Sequence, residues 1–248
     1  MYPVLFRIGE LEVTSFGVMV AVAALVGLWI FGRELARSGL PVEASEAALW
    51  GVAGGLLGAK LLWVGEHFGE GPFSALFFAR GGLSWYGGLA GGVGVGLLVV
   101  VVRGFPLTAT LAAATPALAF GHLLGRIGCF LVGDDYGRPS DLPWAIAFPE
   151  GLPPTTVPVH PTQLYEAVFL GWLGWMLLRW RRGAVPDAVV LGRYLVLAGS
   201  ARFLIEFIRV NERVALGLTV AQWVSLTLAI AGAALVGAAR TVPPILRR

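Results

Sequence analysis

The chain has 248 residues, of which 57% are hydrophobic and only 13% are charged, whereas soluble domains carry about 25% charged residues. This composition excludes an ordinary soluble protein and indicates a membrane protein. The net charge of +3 comes from dispersed arginines and the chain has one cysteine, so we expect neither a nucleic-acid partner nor an internal disulfide.

Seven segments are long and apolar enough to form membrane-spanning helices, each of which needs about 20 residues. Four contain no charged residue: 13–32, 83–102, 107–125 and 214–239. Three are interrupted by isolated polar residues: 47–65, 161–178 and 189–208. The sequence therefore predicts an all-α, polytopic membrane protein with about seven transmembrane helices, forming a single integral-membrane domain over residues 1–248.

The arginines are distributed unevenly between the two sets of loops, which predicts the orientation by the positive-inside rule. The richer set holds Arg33, Arg37, Arg103, Arg179, Arg181, Arg182, Arg240, Arg247 and Arg248. The opposite set holds Arg7, Arg80, Arg138, Arg209 and Arg213. We therefore expect the C-terminus in the cytoplasm, with the N-terminus and the loops near 66–82, 129–160 and 209–218 on the outer side.

The third predicted span begins with WYGGLAGG, in which small residues recur at helical spacing and predict close helix packing. Tyr86 has two readings. It belongs to the aromatic belt of the interface, or it lies at the mouth of a site, where its hydroxyl binds a ligand or relays a proton. Just before this span, the segment 73–78 resembles a helix lying in the membrane interface.

The fourth span leads into GRIGCFLVGDDYGR, an unusual concentration of charge in this chain. Arg126 either extends to the interface by snorkelling or binds an anionic ligand. The glycines that follow favour binding, since they allow close backbone approach, and Asp134 and Asp135 lie nearby in the sequence as partners or orienting groups. Cys129 is more typical of a small packed residue than of a nucleophile, and Arg138 is equally consistent with a solvated loop residue.

Two further motifs place polar residues at the outer ends of the fifth and sixth spans. HPTQLYEA begins the fifth, and His160 lies where a helix N-cap is expected, so capping competes with ligand binding or base chemistry. In RFLIEFIR, Arg202, Glu206 and Arg209 fall on one helical stripe. For Glu206 a salt bridge is the simpler explanation, whereas Arg202 is suited to binding a phosphate with its planar fork.

All these groups fall at one predicted depth, near the outer face. Each ionisable side chain within hydrocarbon costs at least about 2.5 to 3.5 kcal/mol on insertion scales. A cluster at one depth is therefore a candidate site. No histidine or carboxylate set has metal-ligand spacing around His160, so we expect neither a metal nor a cofactor.

At GRIGCFLVGDDYGR the sequence resembles the bacterial prolipoprotein diacylglyceryl transferases. Supporting matches are YGGLAGG, HPTQLYE, RFLIEFIR and LTVAQW, in the order of the family. Arg126 and Arg202 match the two essential arginines of the family, and Gly137, Glu206 and Arg209 match further functional positions. Family members often have Asn in place of Cys129, and His in place of Tyr86.

The resemblance implies a multi-pass enzyme of the bacterial inner membrane with periplasmic outer loops. Such an enzyme transfers the diacylglyceryl group of phosphatidylglycerol, a membrane lipid, to the lipobox cysteine thiol of a prolipoprotein signal peptide, without a cofactor. The expected catalytic residues are Arg126, Arg202 and Tyr86. The expected substrate-binding residues are Arg126, Cys129, Asp134, Gly137, Arg138, His160, Glu206 and Arg209.

Two other functions are compatible with the same residues. One is that of a divergent relative that binds lipid without catalysis or transfers lipid to another acceptor. A transporter is compatible with internal charges, but transporter sites usually lie near the membrane midplane between repeated halves, and neither feature is seen in this sequence.

Overall fold

The structure is a computed structural model that describes residues 3–9, 11–79, 82–183 and 185–241. In these ranges eight α-helices follow one another: α1 Ser15–Arg37, α2 Glu46–Glu66, α3 Phe73–Phe78, α4 Trp85–Val102, α5 Leu107–Val132, α6 Thr162–Arg182, α7 Asp187–Ile205 and α8 Val220–Thr241. Arg80, Arg247 and Arg248, which enter the orientation prediction, lie outside the described residues.

Six helical stretches of the described chain are long and apolar enough to cross a membrane. They are α1, α4, α5, α8, α2 with the preceding 3-10 turn Val42–Ser45, and α7 with the following 3-10 turn Glu206–Ile208. The chain is thus a helical, polytopic membrane protein, as predicted. Helix α6 has 21 residues but carries Gln163 and Glu166 near its start and three arginines in its last turn, and it is not among the six.

Two short antiparallel strand pairs were not anticipated by the all-α prediction. Strand β1 (Val4–Ile8) pairs with β2 (Leu11–Thr14), and β3 (Ile146–Phe148) pairs with β4 (Thr155–Val159). They have three to five residues each and lie outside the long apolar segments, so hydropathy gave no signal for them. The β4 sequence, TTVPV, is rich in the β-branched residues that favour strands.

Three helix ends differ from the prediction. Helix α5 continues to Val132, beyond the predicted apolar run 107–125, so Arg126 lies inside the helix instead of at its outer end. Helix α7 ends at Ile205, so Arg209 follows the helix instead of lying on its stripe. The last span begins at Val220 instead of 214, because Val214 N–H donates to the Leu218 carbonyl in a turn.

The chain forms two compact units, and one comprises residues 31–110. In this unit α2 and α4 pack glycine against glycine: Gly54 and Gly58 lie opposite Gly91 and Gly87, and a Cβ at any of these four positions would clash with the opposite backbone. This confirms the predicted close packing of small residues. The buried Lys60 donates to the Ala79 carbonyl at 2.9 Å and lies over the Trp63 ring.

The other unit comprises the described residues up to 30 and from 111 onward. Its core contains Ala119 of α5, Leu173 and Leu177 of α6, and Val190 of α7, all fully buried. Helix α7 also packs closely on α8, since a Cβ at Gly192 would lie 2.7 Å from the Gly232 carbonyl oxygen. This packing brings together the C-terminal part of α5, the start of α6 and the end of α7. That a single domain covers residues 1–248 stays a prediction.

Candidate active site

Arg126 and Arg202, on different helices, both contact the carboxylate of Glu166 in the first two turns of α6. Arg126 Nε lies 3.1 Å from Glu166 Oε2, and Arg202 Nη1 lies 3.4 Å from Glu166 Oε1. The side chains of Arg126 and Glu166 are each only 7% exposed. The structure thus joins α5, α6 and α7 through one buried carboxylate.

Glu206, in the 3-10 turn that follows α7, holds Arg202 and Arg209 from the other side. Its Oε2 lies 2.7 Å from Arg202 Nη2 and 3.7 Å from Arg209 Nε. Its Oε1 accepts hydrogen bonds from Asn211 Nδ2 at 2.5 Å and from Thr219 Oγ1 at 3.0 Å. Because Glu206 is fixed by four groups, it orients both arginines.

Asp135, in the loop after α5, connects Arg126 with Arg209. Its Oδ2 lies 2.7 Å from Arg126 Nη1, and its Oδ1 lies 2.5 Å from Arg209 Nη2. The residue has φ of 60°, a left-handed conformation that is uncommon for a residue other than glycine and often occurs at functional sites. Burial alone would raise the pKa of the Asp135 carboxyl, but the Arg209 and Arg126 guanidiniums hold that pKa at about 2.

The cluster of these six residues is balanced in charge. Three guanidiniums, from Arg126, Arg202 and Arg209, face three carboxylates, from Asp135, Glu166 and Glu206. Mutual pairing offsets the large cost of burying the charges of this cluster, in which only Asp135 is substantially exposed, at 43%. Arg209 is nevertheless incompletely satisfied: its side chain is 4% exposed, and its Nε and Nη1 make no hydrogen bond to the part of the chain that is described.

A cavity of about 300 Å³ adjoins this cluster. Its polar lining comes from His122, Tyr165, Glu166 and Arg202, and the remaining lining is apolar, from Phe169, Leu170, Ala198, Ala201, Leu204, Ile205 and Ile208. His122 Nε2 accepts a hydrogen bond of 3.2 Å from Arg126 Nε. This bond joins His122 to a residue one turn further along the same helix. A charged end and an apolar body suit an amphipathic ligand.

Gly137 joins the loop after α5 to the segment that precedes α6 and to the segment that follows α7. Its N–H donates to the His160 carbonyl at 2.9 Å, and it forms an isolated bridge with Arg209. A Cβ at this position would lie 2.7 Å from the Ile208 carbonyl oxygen and 2.9 Å from Thr162 Cγ2. Only glycine fits between these segments without displacing them, which explains the residue type here.

The other predicted substrate-binding residues surround the cluster. Arg138 is exposed and its N–H donates to the Ile208 carbonyl. His160 precedes the helix instead of capping it, since the N-cap of α6 is Pro161, and its Nδ1 lies 3.4 Å from the Tyr165 hydroxyl. Cys129 is a partly buried free cysteine. Burial raises the pKa of the Asp134 carboxyl.

Tyr86 lies in the compact unit formed by residues 31–110. It begins the first turn of α4, is 42% exposed and packs edge-on against the Trp85 ring. Two other polar residues of that unit also have partners within it: Lys60 Nζ donates to the Ala79 carbonyl, and His67 Nδ1 lies 2.9 Å from the Trp63 carbonyl oxygen. The role of Tyr86 stays a prediction.

Cys129, Asp134 and Asp135 are a group of potential metal ligands among the described residues, with ligand atoms within 4.8 Å of one another. Both carboxylate oxygens of Asp135, however, already pair with arginines. A cation bound there would face two guanidiniums at close range. We therefore assign no metal to this group.

Glu166 and Asp135 were not among the predicted catalytic or substrate-binding residues, although each pairs with two or more arginines. Glu166 interrupts an apolar segment in the sequence, as Glu206 does, and an intramembrane carboxylate is a candidate site residue on that ground alone. Asp135 was expected, together with Asp134, as a partner or orienting group near Arg126, but the loop sequence does not indicate which of the two adjacent aspartates faces the cluster.

These features define a helical, polytopic membrane protein with a buried, charge-balanced arginine site beside an apolar cavity. Residues 3–238 match the family model described as prolipoprotein diacylglyceryl transferase. The chain belongs to the prolipoprotein diacylglyceryl transferase family, and the resemblance carried by its motifs is confirmed.

Curated relatives match over most of their length. The chain is similar to the phosphatidylglycerol–prolipoprotein diacylglyceryl transferase of Geobacter sulfurreducens, with 36% identity over 84% of this chain and 82% of the relative. It is 34% identical to the transferase of the same name from Bordetella bronchiseptica, over 94% of this chain and 93% of the relative. The transferase of that name from Idiomarina loihiensis is 31% identical, over 93% and 90%.

Proposed function

We propose that this chain transfers the diacylglyceryl group of phosphatidylglycerol to the lipobox cysteine thiol of a prolipoprotein. Membership of the family and the names of the curated relatives support this function. The structural observation that carries it is the convergence of Arg126 and Arg202 on Glu166 beside a cavity with an apolar body. An anionic head group and acyl chains need these two environments side by side.

In this proposal the lipid phosphate enters the arginine cluster. Arg126 and Arg202 bind its oxygens, and the Nε and Nη1 of Arg209, buried without hydrogen bonds to the described chain, donate to it as well. The thiol sulfur attacks the glycerol carbon that carries the phosphate. The C–O bond breaks, and its electron pair remains on the departing phosphate oxygen. Arginines aimed at that oxygen stabilise the transition state, in which its charge increases.

The remaining residues have secondary roles in the proposal. Glu206 and Asp135 orient the arginines, and Gly137 keeps the loop of Asp135 in contact with the segment of Arg209. Arg138, His160, Cys129 and Asp134 lie near the entry of the head group or the peptide and bind substrate. Tyr86 binds or orients the incoming thiol.

The proposed membrane arrangement has seven spans, with α6 as the seventh beside the six apolar stretches. Polar residues at its start contact partners in the site instead of lipid: Glu166 pairs with arginines, and Gln163 Nε2 donates to the Asp134 carbonyl. Arg179, Arg181 and Arg182 at its end mark the cytoplasmic side. The site then faces the periplasm from the inner membrane, where phosphatidylglycerol and translocated signal peptides meet.

The test is a transfer assay with purified full-length protein, phosphatidylglycerol and a lipobox peptide, read as the mass increase of the peptide. Arg126→Ala and Arg202→Ala are expected to abolish the increase while the protein stays folded. Arg103→Ala is the matched control, because it breaks an exposed ion pair of 2.8 Å with Glu46, neither residue of which belongs to the cluster, and is expected to retain activity. A wild-type protein that adds no mass, or arginine variants with normal product, would overturn the proposal.

A further inference from the structure

Three side chains at the start of α6 and in the preceding loop form a short hydrogen-bond chain. Trp144 Nε1 lies 2.7 Å from the Tyr165 hydroxyl oxygen, and the same hydroxyl lies 3.4 Å from His160 Nδ1. An indole N–H only donates, so the Tyr165 oxygen accepts from Trp144. The phenol proton is therefore available to His160 Nδ1, the other partner within reach.

Tyr165 also lines the cavity that contains Arg202 and Glu166. The phenol therefore shares this cavity with the carboxylate that pairs with the arginines. The proposed reaction requires a group in the cavity that accepts the proton of the thiol, because a thiol has an unperturbed pKa of about 8.5 and attacks as the thiolate.

The other basic groups that line the cavity are already committed to arginines. His122 Nε2 accepts a hydrogen bond from Arg126 Nε, so a proton added there would place a second positive charge against the guanidinium. Glu166 pairs with Arg126 and Arg202, and protonation of its carboxylate would break that buried cluster. Among the cavity-lining residues of the described chain, Tyr165 is the titratable group without an arginine partner.

We propose that Tyr165 and His160 remove the proton of the attacking thiol by a two-step relay, an inference that rests on the proposed function. The thiol proton moves to the Tyr165 oxygen while the phenol proton moves to His160 Nδ1. The sulfur electron pair then forms the bond to the glycerol carbon, and the departing phosphate oxygen keeps the electrons of the broken C–O bond. The imidazolium finally returns its proton to the released phosphate monoester or to water.

Trp144 has the orienting role. Its indole N–H donates a hydrogen bond to the Tyr165 oxygen and cannot itself accept a proton. Hydrogen bonds of catalytic groups are often long in the absence of substrate and shorten in the reactive complex. The 3.4 Å separation between Tyr165 and His160 is consistent with a relay that closes when the thiol occupies the cavity mouth.

The test compares a cysteine acceptor with a selenocysteine acceptor in the same lipobox peptide. A selenol is ionised at neutral pH and needs no base, so a variant that has lost only the relay recovers with it. We expect Tyr165→Phe to reduce transfer to the cysteine peptide about 100-fold or more, the contribution typical of a general base, and to transfer to the selenocysteine peptide at the wild-type rate. His160→Gln follows the same pattern.

Tyr136→Phe is the matched control, since the Tyr136 hydroxyl donates to the Pro153 carbonyl at 2.6 Å and its ring stacks on Phe148. It is expected to act normally on both peptides. Equal losses with both acceptors in Tyr165→Phe would indicate a structural role and overturn the relay, as would normal transfer to cysteine. Selenocysteine rescue in Tyr86→Phe, with Tyr165→Phe unaffected, would transfer the role to Tyr86. A wild-type protein that modifies neither peptide would overturn the proposed function itself.

Discussion

Replacing Glu166 by Gln is the most informative change to the arginine cluster, because it removes charge while keeping shape. The Glu166 carboxylate lies 3.1, 3.4 and 3.9 Å from Arg126, Arg202 and Arg209. The variant leaves three guanidiniums with two carboxylates, Asp135 and Glu206, so the cluster changes from neutral to a net charge of +1.

Removing one partner of a buried ion pair typically costs about 3 to 5 kcal/mol. We expect the free energy of unfolding of Glu166→Gln to fall by that amount in nanodiscs of zwitterionic lipid, measured by denaturant titration. Adding phosphatidylglycerol should then stabilise the variant more than the wild type, because the lipid phosphate restores the missing negative charge.

Glu12→Gln is the matched control for this measurement. It breaks an ion pair of 2.7 Å between Arg7 and Glu12, whose side chains are 68% and 48% exposed, and exposed pairs contribute about 0 to 1 kcal/mol. If Glu166→Gln lowers the free energy of unfolding by no more than Glu12→Gln does, the Glu166 carboxylate does not hold the arginines. If phosphatidylglycerol stabilises variant and wild type equally, the phosphate does not enter the cluster.

Three further predictions concern single positions. Arg202→Lys keeps the charge but loses the planar fork, and we expect kcat for lipid transfer to fall about 100-fold or more, read from initial rates; a wild-type kcat would contradict the role. Ionised Asp135 stabilises the fold above the unfolded Asp pKa of about 3.9, and this contribution is lost as pH falls through its folded pKa of about 2. The difference in Tm between wild type and Asp135→Asn should therefore shrink from pH 5 to pH 2, and a constant difference would exclude the ion pairs. Gly137→Ala should lower stability by about 1 to 3 kcal/mol, the usual cost of overpacking, because its Cβ would lie 2.7 Å from the Ile208 carbonyl oxygen. Gly94→Ala, whose Cβ would meet open space, should not lower it, and equal effects of the two variants on thermal unfolding would refute the steric argument.

The membrane helices were predictable because hydrophobic length is a strong signal in a bilayer. Six of the seven predicted spans correspond to apolar helical stretches. The end of α5 was missed because Arg126 was taken as the limit of the apolar run. In the structure Arg126 has ion-pair partners in Glu166 and Asp135, so the helix continues past it to Val132.

The site was only partly predictable for a related reason. Residue type and position in the motifs indicated Arg126, Arg202 and Arg209, since an arginine in an apolar segment needs a partner. Which carboxylate each arginine binds depends on how α5, α6 and α7 pack, and one sequence does not determine that packing. The bridging role of Asp135 depends further on a left-handed backbone position that nothing in the motif indicates.

The distribution of the ion pairs over three helices also bears on biogenesis. Helix α5 carries Arg126, but its buried partner Glu166 is synthesised only with α6, and Arg202 follows with α7. Until the later segments arrive, Arg126 has only the exposed Asp135 of the following loop as a partner, and an arginine within hydrocarbon costs about 2.5 to 3.5 kcal/mol on insertion scales. The buried part of the cluster is therefore completed by the three segments jointly, and a chain interrupted between α5 and α6 lacks Glu166, the buried partner of Arg126.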